Sequence, residues 1–188
     1  MSLTGLILPI LVSSVAVFIA SSIIHMATPW HKNDFPNYSG EDAILNALAP
    51  LNIPPGDYFM PRPYVRADMK SPEFLAKLHR GPVLLMTVME NAPVNMGKAM
   101  GGWFVYLVVV NVIIALVGAA GFHTGQNHSV LLHQALLTGF AAYGLALCQM
   151  RIWYRRSLSL TLKALFDAVI YSAISAGIFV WLWPALMG

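Results

Sequence analysis

Cysteine is nearly absent. The 188 residues hold one, Cys148, inside an apolar run, so no intrachain disulfide can form and the side chain reads as a small buried apolar group. Charge is scarce as well: 10% of residues are Asp, Glu, Lys or Arg against 57% hydrophobic, far from the usage of soluble globular chains. Residues 2–24, 99–150 and 168–188 carry no such charge, which is confined to Lys32–Lys98 and Arg151–Asp167. Also missing are a nucleophile elbow, a phosphate-cradling glycine loop, HExxH and CxxC. These absences argue against the common hydrolase, nucleotide-binding, zinc-peptidase and dithiol chemistries, and no enzyme activity is expected.

What the chain has is apolar length. About 20 apolar residues cross about 30 Å of hydrocarbon as a helix, and lipid offers exposed backbone groups no partner. The runs Ser2–Ile24, Gly101–Phe122, Ser129–Met150 and Ala164–Trp183 read as four spans, with Asn127 and His128 in the turn that splits the middle stretch. The prediction is an all-α membrane protein: transmembrane helix 1 in residues 1–25, a cytoplasmic loop region in 26–100, and transmembrane helices 2–4 in 101–188. The first run lacks a basic leader and exceeds the length of a signal-peptide core, so it is expected to stay as an anchor. The fourth run ends at Pro184, and no second domain is expected after it.

Orientation follows Lys and Arg. Lys32, Arg62, Arg66, Lys70, Lys77, Arg80 and Lys98 lie in the large loop, and Arg151, Arg155, Arg156 and Lys163 lie at the third-to-fourth link. Both segments fall on one side of a four-span protein, so that side is expected to be cytoplasmic in a bacterial inner membrane, with both termini outside. The loop is balanced, seven basic against seven acidic residues, and the net charge of +3 comes from the link. Anionic lipid headgroups met by Arg155 and Arg156 explain that excess at about 1 kcal/mol per residue. Nucleic acid is not needed.

The loop carries soluble-type signals. Ser39 and Asp42 read as a capping box opening a helix to about Leu48, and Ser71-Pro72-Glu73 opens a second, stopped by Gly81-Pro82. Tyr58–Val65 and Val83–Met89 are expected to pair as a small hairpin, with Pro61 and Pro63 limiting the first strand to an edge.

Six histidines raise the question of ligation, since neutral imidazole binds haem iron, chlorophyll magnesium and zinc. His25 and His133 are the candidate axial ligands for a chlorophyll-type pigment or, as the lesser expectation, haem. They fall at opposite faces of the bilayer, which excludes one haem held by both. His123, His128 and His133 are spaced five and five, which matches no compact metal motif, and no metal site is expected. Asp167 is the single acid inside a span. Intramembrane acids default to functional hypotheses, but Lys163, Arg151 and Arg155 are near enough to predict a structural ion pair tying span three to span four. His31, Asp34, Glu41 and Asp42 form the best candidate for surface chemistry on lipid or quinone. Gly139, Ala142, Gly144, Ala146, Ala173, Ala176 and Gly177, with Asn111 and Gln134, predict faces where helices approach closely. Trp30, Trp103, Trp153, Trp181 and Trp183 read as interfacial belts.

Several stretches resemble a set of uncharacterised bacterial four-span inner-membrane proteins: His25-Met-Ala-Thr-Pro-Trp-His-Lys-Asn-Asp34, Pro55-Gly-Asp-Tyr-Phe-Met-Pro61, Arg80-Gly-Pro82 and Phe179-Val-Trp-Leu-Trp-Pro184. The resemblance covers most of the chain and implies the four-span fold, with no activity attached. More weakly, the chain looks like an accessory subunit of bacterial photosynthetic reaction-centre–antenna complexes. The leading expectation is a non-catalytic accessory subunit packed against other integral membrane subunits of a photosynthetic or respiratory complex. The alternatives are a pigment- or haem-binding antenna or electron-transfer subunit, and a small transporter or a lipid- or quinone-active membrane enzyme.

Overall fold

Four helices among the described residues are long and apolar enough to cross a membrane: Thr4–Ala27, Met96–Gly121, His128–Tyr154 and Leu158–Leu182. The structure, a computed structural model, describes residues 3–122 and 126–183. The chain forms two units, Asn37–Val94 and the remainder, Met1–Pro36 with Asn95–Gly188.

In chain order the helical unit opens with α1 (Ile7–Ser22), which continues as a π turn over Ile23–Ala27. The inserted unit holds α2 (Glu41–Leu48), β1 (Gly56–Met60), α3 (Pro72–Arg80) and β2 (Leu84–Val88). The helical unit resumes with α4 (Met96–Gly121), α5 (His128–Phe140), a π turn over Ala141–Leu145, α6 (Leu147–Tyr154) and α7 (Leu158–Leu182).

Capping sets helix starts that hydropathy misses. The Asn95 side chain accepts from Lys98 N at 3.0 Å and starts α4 ahead of the expected Gly101. Ser157 Oγ accepts from Leu160 N at 3.2 Å and starts α7 at Leu158, ahead of the expected Ala164. The polar first turns therefore belong to the long helices, and Lys163 and Asp167 both ride on α7.

Contacts run α1 to α4, α4 to α5, α5 to α7 and α7 back to α1, a closed four-helix arrangement. Large aliphatics such as Leu8, Leu11, Ile19, Val109, Ile113 and Val169 face outward, while Ser13, Ser14, Asn111, Ser172 and Ser175 are buried. Hydrocarbon supplies no hydrophobic force between helices, so small and polar residues favour the interface and large apolar ones the outside. Asn111 bears this out: its Nδ2 donates to Leu107 O at 2.9 Å and reaches Ser14 Oγ and Tyr143 OH at 3.3 Å each. A Cβ on Gly139 would stand 2.9 Å from the Ser172 Cβ, and one on Gly144 2.8 Å from the Ala168 Cβ, so both glycines set the approach of the third long helix to α7. Ala146, Ala173 and Gly177, expected on such faces, are exposed.

In the inserted unit, α3 starts and stops where the sequence predicts. Ser71 Oγ accepts from Phe74 N at 3.1 Å, and Gly81 ends the helix at φ 62°. The Ser39–Asp42 capping box is not formed: α2 has Gly40 at its cap without a side-chain bond, and Glu41 and Asp42 occupy its first turn. The hairpin forms in a shorter register, with Gly56–Met60 antiparallel to Leu84–Val88. Strand β1 ends ahead of Pro61, which has no N–H to extend the ladder.

Candidate functional site

Where α1 ends and α7 begins, four charged or ionisable side chains join in one hydrogen-bonded row. His31 Nε2 is hydrogen-bonded with Asp167 Oδ2 at 2.9 Å, and His31 Nδ1 with Asp34 Oδ2 at 2.6 Å. Lys163 Nζ donates to Asp34 Oδ1 and to the Trp30 carbonyl, each at 2.6 Å. Local geometry presents the first pair: Thr28 Oγ1 holds Ile24 O at 2.5 Å, and Asp34 N bonds His31 O at 3.1 Å, so His31 and Asp34 share a face of one turn. Lys163 and Asp167 stand i, i+4 on α7 and share a face there.

His31 stands between the two carboxyl groups, and Lys163 brings an ammonium to the Asp34 end of the row. The side chains are 6% (Asp167), 10% (Asp34), 13% (His31) and 19% (Lys163) exposed, and charges at such depth persist when paired and hydrogen-bonded. Burial opposes ionisation of Asp34, yet the hydrogen bonds from Lys163 and His31, with their charges, outweigh it and hold its carboxyl below the ordinary range.

This arrangement corrects the predicted ion pair. Asp167 meets His31, not Lys163, Arg151 or Arg155. Lys163 reaches off its own helix to Asp34 and lies 5.7 Å from the Trp30 ring centre. Arg151 Nη1 donates to Arg156 O at 2.8 Å and closes the turn after α6. Arg155 adopts φ 53° as the cap of α6 and is exposed, as is Arg156. The tie therefore joins α7 to the segment after α1, and leaves the third and fourth long helices to pack through small residues.

Beside the row opens a cavity of about 660 Å³. Its walls are aromatic and apolar, with Phe18, Trp103, Tyr106, Tyr143 and Tyr171 among them and Met26, Met96 and Met100 toward the row, where His25 and Asp167 also contribute. Trp103 is thus no belt residue: its Nε1 donates to Ser21 Oγ at 2.9 Å and its ring stacks on Tyr106. Trp183 is fully buried against Phe122 and Phe179, whereas Trp153 and Trp181 are exposed as a belt requires.

His25, one of the two candidate axial ligands, lines this cavity. Its Nδ1 bonds the Ser21 carbonyl at 3.0 Å, which fixes the proton on Nδ1 and leaves the Nε2 lone pair available. Its ring stacks on His31, centroids 4.1 Å apart. His133 is exposed on α5, its Nδ1 bonded to Ser129 O at 2.5 Å, and lines none of the cavities beside α1 and α7. His128 is exposed too, and His123 lies outside the described residues. Glu41 and Asp42 belong to the inserted unit, in the first turn of α2.

No family model, curated protein or solved structure matches the chain. Chemistry must be read from the groups themselves. Among the described residues, no Ser, Thr or Cys side chain is hydrogen-bonded to the rings of His25 or His31, so the nucleophile–base geometry of covalent catalysis is not formed. Holding a proton, a cation or the polar head of a ligand is what the site is equipped to do. Sequence reasoning grouped His31 with Asp34 and Lys163 with Asp167 and missed the union of the two pairs, because the His31–Asp167 contact spans 136 residues.

Proposed function

We propose that this chain is a multi-pass protein of a bacterial inner membrane, both termini outside, that holds a lipophilic aromatic head group of the quinol class in the cavity at the end of α1. One observation carries the reading: an aromatic-walled cavity of about 660 Å³ with an imidazole acceptor and a buried carboxylate toward one end. Ligand pockets of this kind pair broad apolar walls with a few placed polar groups. Phe18, Trp103, Tyr106 and Tyr171 supply flat surfaces for a ring, and the His25 Nε2 lone pair accepts from a hydroxyl. An apolar tail continues from the ring into lipid.

The role is holding, within an assembly of other integral membrane subunits of an electron-transfer complex, photosynthetic or respiratory. The part is a non-catalytic one, and the exposed Arg155 and Arg156 supply the contact with anionic lipid headgroups. For orientation, a maleimide added to whole cells leaves Lys77→Cys in a Cys148→Ser background unlabelled, and labels it in inverted vesicles; the reverse pattern overturns the topology.

Quenching of tryptophan fluorescence by a short-tailed benzoquinone, in detergent, tests the pocket. Saturable quenching is expected, with the corresponding quinol competing. One neutral hydrogen bond is worth about 0.5–1.5 kcal/mol, so His25→Ala weakens the quinol by about two- to twelvefold. Quenching that rises linearly and is equal in both proteins refutes the reading. A second reading, a chlorophyll-type pigment or haem held axially by His25, is favoured by the Nδ1 bond to Ser21 O, which aims the lone pair of Nε2 away from its own helix. A visible absorption band in the purified protein, lost in His25→Ala, decides for it; no band removes it.

A further inference from the structure

The geometry points to a divalent transition-metal site formed by His25, His31 and Asp167. One ligand atom from each lies within 4.8 Å of the other two, and the three come from the end of α1, the turn beyond it and α7. The spacing of the histidines along the chain gives no sign of it.

Both imidazoles are prepared in the same sense. His25 Nδ1 is tied to the Ser21 carbonyl at 3.0 Å and His31 Nδ1 to the Asp34 carboxylate at 2.6 Å. A backbone carbonyl and a carboxylate on the far nitrogen are the usual outer partners of metal-binding histidines, fixing the tautomer and raising ligand basicity. Asp34 is anchored in turn by Lys163, which cancels its charge and keeps it out of the coordination sphere.

Asp167 adds an independent sign. The residue is 4% exposed, and while Oδ2 faces His31, Oδ1 is buried with no hydrogen-bond partner among the described residues. Buried carboxylate oxygens are rarely left this way. His31 Nε2 and Asp167 Oδ2, 2.9 Å apart, need a proton between them; a cation bound by both takes the place of that proton and also supplies charge to Oδ1.

Two imidazoles and one carboxylate suit zinc, iron(II) or cobalt(II) in preference to calcium or magnesium, and three protein ligands leave coordination positions for water or a ligand. Bonds of about 2.0–2.1 Å set donors about 3.3 Å apart, so His31 Nε2 and Asp167 Oδ2, now 2.9 Å apart, need to open by only about 0.4 Å to admit the ion. His25 completes the set by tilting about its Nδ1 bond to Ser21 O, which is kept: the two rings are parallel within 6°, so their lone pairs must be brought from side by side to convergent. His25 is exposed and has room to turn.

The test uses the full chain in detergent, carrying a histidine-free tag and stripped with chelator. Co²⁺ is titrated by its visible d–d absorption, and Zn²⁺ is then counted per chain by elemental analysis. One ion per chain is expected. His25→Ala and Asp167→Asn each weaken Co²⁺ binding at least a hundredfold, Asp34→Asn weakens it by about 10–100-fold as an outer partner, and His133→Ala leaves it unchanged. Helical circular dichroism and size exclusion verify each variant; if Asp167→Asn does not fold, the exposed His25→Ala decides. Substoichiometric Zn²⁺, or Co²⁺ binding undiminished in the His25→Ala, His31→Ala double variant, overturns the site. The ion and the quinol hydroxyl would use the same His25 Nε2 lone pair and so exclude each other there; the titration contains no quinol, and quinone quenching is measured with chelator present, so either claim fails without the other.

Discussion

Replacing Lys163 by methionine is the sharpest test of the charged row, because Lys163 closes it at one end. The substitution keeps the length of the stem and removes the ammonium, along with two 2.6 Å bonds, to Asp34 Oδ1 and Trp30 O. An exposed pair would cost about 0–1 kcal/mol, whereas removing one partner of a buried pair costs about 3–5 kcal/mol. With Lys163 19% and Asp34 10% exposed, the site lies nearer the buried limit, and His31 continues to serve Asp34, so the expected loss is about 2–3 kcal/mol. Asp34→Asn alone costs a similar amount, since it disturbs both Lys163 and His31. The double variant removes the uncompensated charge, and its loss falls short of the sum by about 1–2 kcal/mol, the coupling typical of residues in one network. The assay is reversible unfolding in mixed detergent micelles, followed by circular dichroism with chelator present throughout. A Lys163→Met loss below about 0.5 kcal/mol, or a double variant additive to within about 0.5 kcal/mol, shows that the row is not coupled as described.

Three further outcomes follow from packing and charge. Gly139→Ala drives a methyl to within 2.9 Å of the Ser172 Cβ and 3.2 Å of its Cα, and should cost about 1–3 kcal/mol in the same assay. Gly177→Ala, with nothing within 4 Å, should be neutral or stabilising by up to about 1 kcal/mol; equal effects at the two positions contradict the helix contacts. Asn111→Ala strips the cross-helix bonds to Ser14 and Tyr143; at about 0.6 kcal/mol for a typical bond between membrane helices, plus a cavity, a loss of about 1–2 kcal/mol is expected. Arg155→Gln with Arg156→Gln should lower the enrichment of anionic over zwitterionic lipid around the protein in mixed nanodiscs, read by mass spectrometry of retained lipid, with unchanged enrichment as the contrary result.

The four long helices are legible because hydrocarbon imposes a length and a composition that few other environments demand. Their ends are less so, since caps such as Asn95 and Ser157 extend a helix through residues that hydropathy assigns to loops. The α3 boundaries could be read from Ser71-Pro72 and Gly81-Pro82 because those residues act locally. The ion pair could not: Lys163 stands next to Asp167 along the helix, and sequence proximity favours their pairing. The fold instead brings in a turn from the other end of the chain, where His31 fits Asp167 and Asp34 draws Lys163 away. Trp103 misled for the same reason, as an aromatic residue near a span end looks alike in sequence whether it faces lipid or lines a cavity.

Because 136 residues separate His31 from Asp167, the row comes into being only after α7 has been made. A nascent chain arrested before α7 presents an acid and an imidazole lacking their counterparts beside a half-built bundle. Completion of α7 thus gives both partners to the turn after α1 in a single step.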